Sequence, residues 1–149
     1  MKIEHFLTFL TIIVGILVVS IAYRQFVLSK EKFKLDLFEK RFAIYKGAQS
    51  FLTFIMNEGK VTIEKIYQFR AETQDAIFLF DDDIAAILKQ IDEKALNLWA
   101  TTEKSKKELD CKEKSILNRD GSELFEWLIS QLPKLKDIFS PYLKFKTWK

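Results

Sequence analysis

From Phe6 to Tyr23 the chain reads FLTFLTIIVGILVVSIAY, eighteen residues without a charged side chain. As a helix this stretch is about 27 Å long at about 1.5 Å per residue, close to the thickness of a bilayer's hydrocarbon core. Phe26, Val27 and Leu28 follow Arg24 and Gln25, so the helix can continue through the interface while the arginine side chain reaches up to the headgroups. The β-branched residues Ile12, Ile13, Val14, Val18, Val19 and Ile21 do not oppose this. In lipid the backbone must pair internally, and a helix is the only solution for a single segment. The expectation is a transmembrane anchor over residues 1–28 and a soluble domain over 29–149.

The rival reading is a cleaved secretory signal, since Ser20-Ile21-Ala22 has the small-x-small pattern of a cleavage site. Three features oppose it: the length of the apolar run, a weak leading region in which Glu4 offsets Lys2, and the basic residues that follow at once. Arg24, Lys30, Lys32, Lys34, Lys40 and Arg41 flank the C-terminal side, against Lys2 and the free amine on the other. The positive-inside rule then places the N-terminus outside and the soluble domain in the cytoplasm. Lys30, Lys32 and Lys34 could also attract anionic lipid, but Glu31, Asp36 and Glu39 dilute that field, so they read first as an orientation signal. Gly15, Ser20 and Ala22 do not form a Gly-xxx-Gly pair, and a lipid-facing anchor is the simpler reading.

Beyond the anchor enough of the 149 residues remain to enclose one hydrophobic core. With 48% apolar residues and 14 phenylalanines the chain is too hydrophobic to stay disordered. Only 4 Gly and 2 Pro leave little of the turn chemistry a strand-rich fold needs, which points to an all-α domain. The net charge of +3 comes from 24 basic and 21 acidic residues interspersed along the chain, so nucleic-acid binding is not indicated.

The pattern predicts a helical bundle of about four helices, the first a long continuation of the anchor. From Ser29 to Glu58 the chain has no proline, and Asn57-Glu58-Gly59 closes it like a helix C-terminus. Leu35, Phe38, Phe42, Tyr45, Gln49, Leu52 and Met56 recur at spacings of three and four, a stripe expected to be buried. Leu37, Ile44, Ala48, Phe51 and Ile55 widen that surface beyond a two-stranded seam, favouring a bundle over an isolated coiled coil. A second helix is expected from about Val61 to Gln74, with Ile63, Ile66, Tyr67 and Arg70 aligned. The apolar run Ala76–Phe80 reads as a helix end or extended connection rather than a strand, for want of a partner strand. Asp82 or Asp83 is placed to cap a third helix carrying Ile84, Leu88, Ile91, Ala95, Leu98 and Trp99, extending to about Lys107. The charged stretch Thr101–Gly121 reads as a solvated helix end and loop. A last helix from about Ser122 aligns Phe125, Leu128, Leu132, Leu135, Phe139 and Tyr142, with Pro133 expected to kink or divide it and Pro141 to break it again.

Little in the soluble part carries chemistry. The single histidine, His5, stands at the membrane edge, so neither a histidine-based triad nor a histidine-ligated zinc site is expected in the domain. Gly47, Gly59 and Gly121 stand alone, without a phosphate-binding loop or dinucleotide fingerprint. Asp81-Asp82-Asp83 could attract Mg²⁺ or Ca²⁺, but capping is the simpler role, because metal loops interleave their ligands. Cys111, the lone cysteine, sits among charged residues and reads as an exposed, inert thiol that cannot form an internal disulfide. No catalytic, cofactor-binding or metal residue is nominated.

The stretch Lys32–Tyr45, KFKLDLFEKRFAIY, placed just after the anchor, resembles a group of uncharacterised small bacterial single-pass membrane proteins with an LDLFxKRFxxY-like juxtamembrane helix. Phe78-Leu79-Phe80 and Phe139-Ser140-Pro141-Tyr142-Leu143 look like later landmarks of that group. The resemblance implies the bacterial inner membrane and brings no activity with it. The expected function is a non-enzymatic interaction or tethering module, its partners being the bilayer and either another protein or a second copy. The alternative is a ligand- or assembly-gated effector that perturbs the bilayer, for example in phage defence. An enzyme acting on a lipid or nucleotide stands third and requires a pocket of converging polar groups.

Overall fold

The computed structural model describes residues 2–108 and 110–144. The side chains of Lys2, Glu4, Phe6 and Leu7, used above, lie outside the described residues, as do residues 145–149 of the soluble domain. The described chain is all-α: α1 (Lys2–Glu58), α2 (Ile63–Thr73), α3 (Ala76–Leu79), α4 (Asp82–Lys107) and α5 (Cys111–Leu143). It divides into two compact units, Met1–Leu37 and Phe38–Lys149, and α1 supplies the helix of the first and the opening helix of the second.

In the first unit α1 is long and apolar enough to cross a membrane, with a best window of mean hydropathy 2.0 of which 0% is buried. Phe9, Ile16, Val19 and Phe26 all stand in the open. A soluble core helix would bury such residues; here the described chain leaves them exposed.

In the second unit α1 ends where the sequence says it should. Gly59 takes φ +63° and donates its N–H to the Ile55 carbonyl at 3.0 Å, closing the last turn in a conformation that a side chain would strain. Thr62 then caps α2, its hydroxyl accepting from the Lys65 N–H at 3.4 Å. α1 and α2 approach closely at Gly47, where an added Cβ would fall 2.9 Å from the Glu72 Cβ. Phe51 of α1 stacks on Phe69 of α2 with ring centroids 4.6 Å apart.

Two expectations about buried faces change. α1 turns Ile44, Ala48, Phe51, Leu52 and Ile55 into the core, while Leu35, Phe42 and Met56 remain 47%, 38% and 45% exposed. Leu52 of the expected stripe is fully buried, but the rest of the buried centre, Ile44, Ala48, Phe51 and Ile55, comes from residues expected only to widen it. α2 buries Ile66, Phe69 and Thr73, leaving Tyr67 and Arg70 outside, because its inward face follows the three-then-four spacing from Ile66.

α3 replaces the expected helix end or extended connection: Ala76–Leu79 makes one helical turn and Phe80 alone is extended. The residue at the start of α4 is Asp81, not Asp82 or Asp83, and its side chain makes no cap hydrogen bond. Asp82 and Asp83 occupy the first turn, where their charge faces the positive end of the helix dipole. α4 buries Ile84, Leu88, Ile91, Ala95 and Leu98, as its period predicts.

The stretch read as loop up to Gly121 is mostly helix. α5 starts at Cys111, capped by the Asp110 carboxylate accepting from the Lys112 N–H at 2.7 Å. Residues 111–121 are exposed or half-buried, so no apolar stripe betrays the helix, although Lys and Glu favour it. Pro133 and Pro141 lie inside α5 without dividing it. Both are exposed, on a side where water can satisfy the carbonyls that a proline leaves without an N–H. Ser105 with Asn118, Lys94 with Trp127 and Asp81 with Tyr142 pair in descending and ascending order, so α4 and α5 form an antiparallel hairpin. Its inner face supplies Leu128, Leu135 and Phe139, each worth about 1.5–3 kcal/mol on burial.

Candidate functional site

A concavity of the second unit lies along the α4–α5 hairpin, beside Gly59. It measures about 740 Å³, within the range of small-molecule sites. Leu98, Leu117 and Phe125 form an apolar lining, and Thr101, Thr102, Ser105, Asn118 and Ser122 add polar groups. Most of those groups already have partners. The Ser105 hydroxyl donates to Asn118 Oδ1 at 2.7 Å, Thr102 to the Leu98 carbonyl at 2.8 Å, and Ser122 to the Asn118 carbonyl at 3.0 Å. Lys106 lies 2.7 Å from the Glu103 carboxylate, whose proton affinity it lowers by that hydrogen bond and by its charge. Lys114 completes the rim. The groove can hold a ligand of mixed character, but it aims no nucleophile and base at a common point.

A second arrangement ties α1 to the end of the hairpin. Arg41 donates Nε–H to the Leu79 carbonyl at 2.8 Å, and its guanidinium carbon lies 5.6 Å from the Phe80 ring centre and 5.5 Å from that of Tyr142. Tyr45 and Phe80 both pack on Phe139, at 5.5 and 5.1 Å between ring centres. The Tyr142 hydroxyl donates to the Asp81 carboxylate at 2.5 Å. That bond raises the phenol's pKa; burial and the charges of Asp81 and Asp83 act the same way, and Arg41 opposes them. The sequence presents Arg41 as an orientation charge, and only its neighbours Phe38, Phe42 and Tyr45 hint that it packs.

On another side, Arg70 and Asp92 form a two-bond pair between α2 and α4, at 2.7 and 2.9 Å. The hydrogen bond to Asp92 is the main reason the guanidinium's pKa is raised. Beside it runs a shallower groove of about 470 Å³ lined by Phe69, Ile77, Ala85, Ala86 and Leu88, and next to that Phe78 is 84% exposed.

Among the described residues no three His, Cys, Asp or Glu side chains gather where they could hold a metal ion. Asp81 turns to Tyr142, and Asp82 and Asp83 are exposed in the first turn of α4. His5 is exposed on α1, and Cys111 is exposed at the start of α5. No family model, curated protein or solved structure matches the chain.

Proposed function

We propose that this chain is a single-pass membrane protein whose helical bundle is an interaction module, tethering a partner or a second copy at the bilayer. One observation carries the reading: α1 begins with apolar side chains that the described chain leaves exposed and continues, without a break, into a helix that supplies the bundle's core. The positive-inside asymmetry supports an outside N-terminus and a cytoplasmic bundle, and the resemblance to small bacterial single-pass proteins supports the inner membrane of a bacterium. Crosslinking in intact cells at native expression, followed by mass spectrometry of everything joined to residues 38–144, tests the function. A recurrent joined protein supports tethering; a bundle that stays monomeric and unjoined in native membranes refutes it. An export-dependent phosphatase fused to the C-terminus is expected to be inactive, and activity would reverse the topology.

The groove of about 740 Å³ favours one second reading, a ligand-gated effector that disturbs the bilayer when the groove is filled. Under this reading induced expression depolarises cells and requires the apolar stretch intact. Harmless expression under every trigger tried would dismiss it.

A further inference from the structure

An apolar corner of the second unit stands open to solvent. Ile77 and Phe78 of α3 are 63% and 84% exposed. The turn that carries them is fixed at its end, where the Phe80 N–H donates to the Ala76 carbonyl at 3.0 Å and Arg41 donates to the Leu79 carbonyl. Ile77 also lines the groove of about 470 Å³ between α2 and α4. Phe69 and Leu88 give that groove a buried floor, while Ala85 and Ala86 of α4 present only methyl groups to it. A groove between two helices with exposed apolar side chains at its end is the shape that receives the apolar face of an amphipathic helix.

The border of the groove is acidic. Arg70 is matched by Asp92, and Lys89 lies 3.9 Å from Glu93. Asp75 stands between the lining residues Gln74 and Ala76, and Asp82 stands one turn before Ala85 and Ala86 on the same face of α4. Both carboxylates are exposed, and among the described residues neither has an ion-pair partner.

We propose that this groove docks a segment of a protein partner, an amphipathic helix with apolar side chains on one face and lysines or arginines beside them. This rests on the reading of the bundle as an interaction module, and it names the face that meets the partner and the partner's chemistry. Charge selects among the occupants. An anionic lipid surface or a nucleic acid would meet Asp75 and Asp82 with like charge. A second copy docking by the same patch would bring both pairs of carboxylates into a single interface. A basic helix is instead drawn to the carboxylates and is held by burying Ile77 and Phe78.

The test uses the full chain in nanodiscs of neutral lipid, with empty nanodiscs subtracted, and two fluorescent helical peptides, one of leucine with lysine and one of leucine with glutamate. Fluorescence anisotropy is expected to show the lysine peptide bound about tenfold more tightly. Phe78→Ser should weaken that binding about tenfold, whereas Ile116→Ser, which removes another exposed apolar side chain at the start of α5, should change it by less than about twofold. Asp75→Lys with Asp82→Lys should make the glutamate peptide the tighter ligand, and the milder Asp75→Asn with Asp82→Asn should erase the preference. Equal binding of the two peptides by the unaltered chain, or a preference that survives both double substitutions, overturns the proposal. So does an affinity for the lysine peptide that rises about tenfold when residues 145–149 are deleted, because Phe145, Lys146, Trp148 and Lys149 carry the same chemistry and would then be the occupant. In cells, photoreactive benzoylphenylalanine in place of Phe78 should join a different protein; joining only lipid or a second copy overturns the proposal. If a partner is joined to the bundle from other positions but not from position 78, this groove has failed while the interaction module stands.

Discussion

Tyr142 at the end of α5 donates its hydroxyl to the carboxylate of Asp81, the residue that immediately precedes α4, 61 residues earlier in the chain. The carboxylate that could have capped its own helix instead fastens the open end of the hairpin. Because the bond raises the phenol's pKa in the folded state, its contribution is complete below the ordinary tyrosine value, about 10, and is lost as pH rises through the folded value. Tyr142→Phe should cost about 0.5–1 kcal/mol near neutral pH and make the alkaline loss of stability shallower. Thermal unfolding of the detergent-solubilised protein at about pH 8 and about pH 11 checks this; identical alkaline losses in both proteins would refute it.

Gly47 is held small by its neighbour. A methyl group there meets the Cβ of Glu72, an atom fixed to the α2 backbone, so the two helices must separate to admit it. Gly47→Ala should lower stability by about 1–3 kcal/mol, even though alanine is the better helix former. An unchanged or raised melting temperature would show that α2 can shift freely.

Phe139 is fully buried between Tyr45 and Phe80, joining α1, the α3–α4 junction and α5. Phe139→Ala should cost about 3–5 kcal/mol and abolish cooperative unfolding before it abolishes helix content. Circular dichroism with tryptophan fluorescence separates the two effects.

The Arg70–Asp92 pair has good geometry but side chains 43% and 20% exposed. Solvent screening limits its worth, and Asp92→Asn should cost no more than about 1 kcal/mol, with the difference shrinking in high salt. A loss of several kcal/mol, insensitive to salt, would mean that Asp92 holds more than this arginine.

Charges placed in the apolar stretch test the anchor directly. Ile13→Arg with Leu17→Arg should each add about 2.5–3.5 kcal/mol to insertion and move the protein out of the membrane fraction. Continued sedimentation with membranes after carbonate washing would count against α1 as the anchor.

The period of α4 and the inner face of α5 were legible because those helices bury one face and wet the other. Ile84, Leu88, Ile91, Ala95 and Leu98 announce themselves by spacing alone. α1 misled for the opposite reason: it is apolar on two sides, and spacing cannot say which of Ile44 or Phe42 the bundle takes. The first three turns of α5 were illegible because residues 111–121 have no buried stripe to show, and Gly121 reads like punctuation. The groove beside Gly59 escaped entirely. Its lining is drawn from α4, α5 and the turn after α1, and only the fold brings these side chains together.

The bundle closes between residues far apart in the chain: Tyr45 meets Phe139, and Arg41 meets Tyr142. At about 5–20 residues per second of synthesis, α1 must wait on the order of ten seconds for the helix that covers it. Throughout that interval Tyr45, which packs on Phe139, has no cover from α5. A newborn chain is therefore open to chaperones, to neighbouring nascent chains and to proteases until its last helix has emerged. Premature termination within α5 would leave a bundle that never closes.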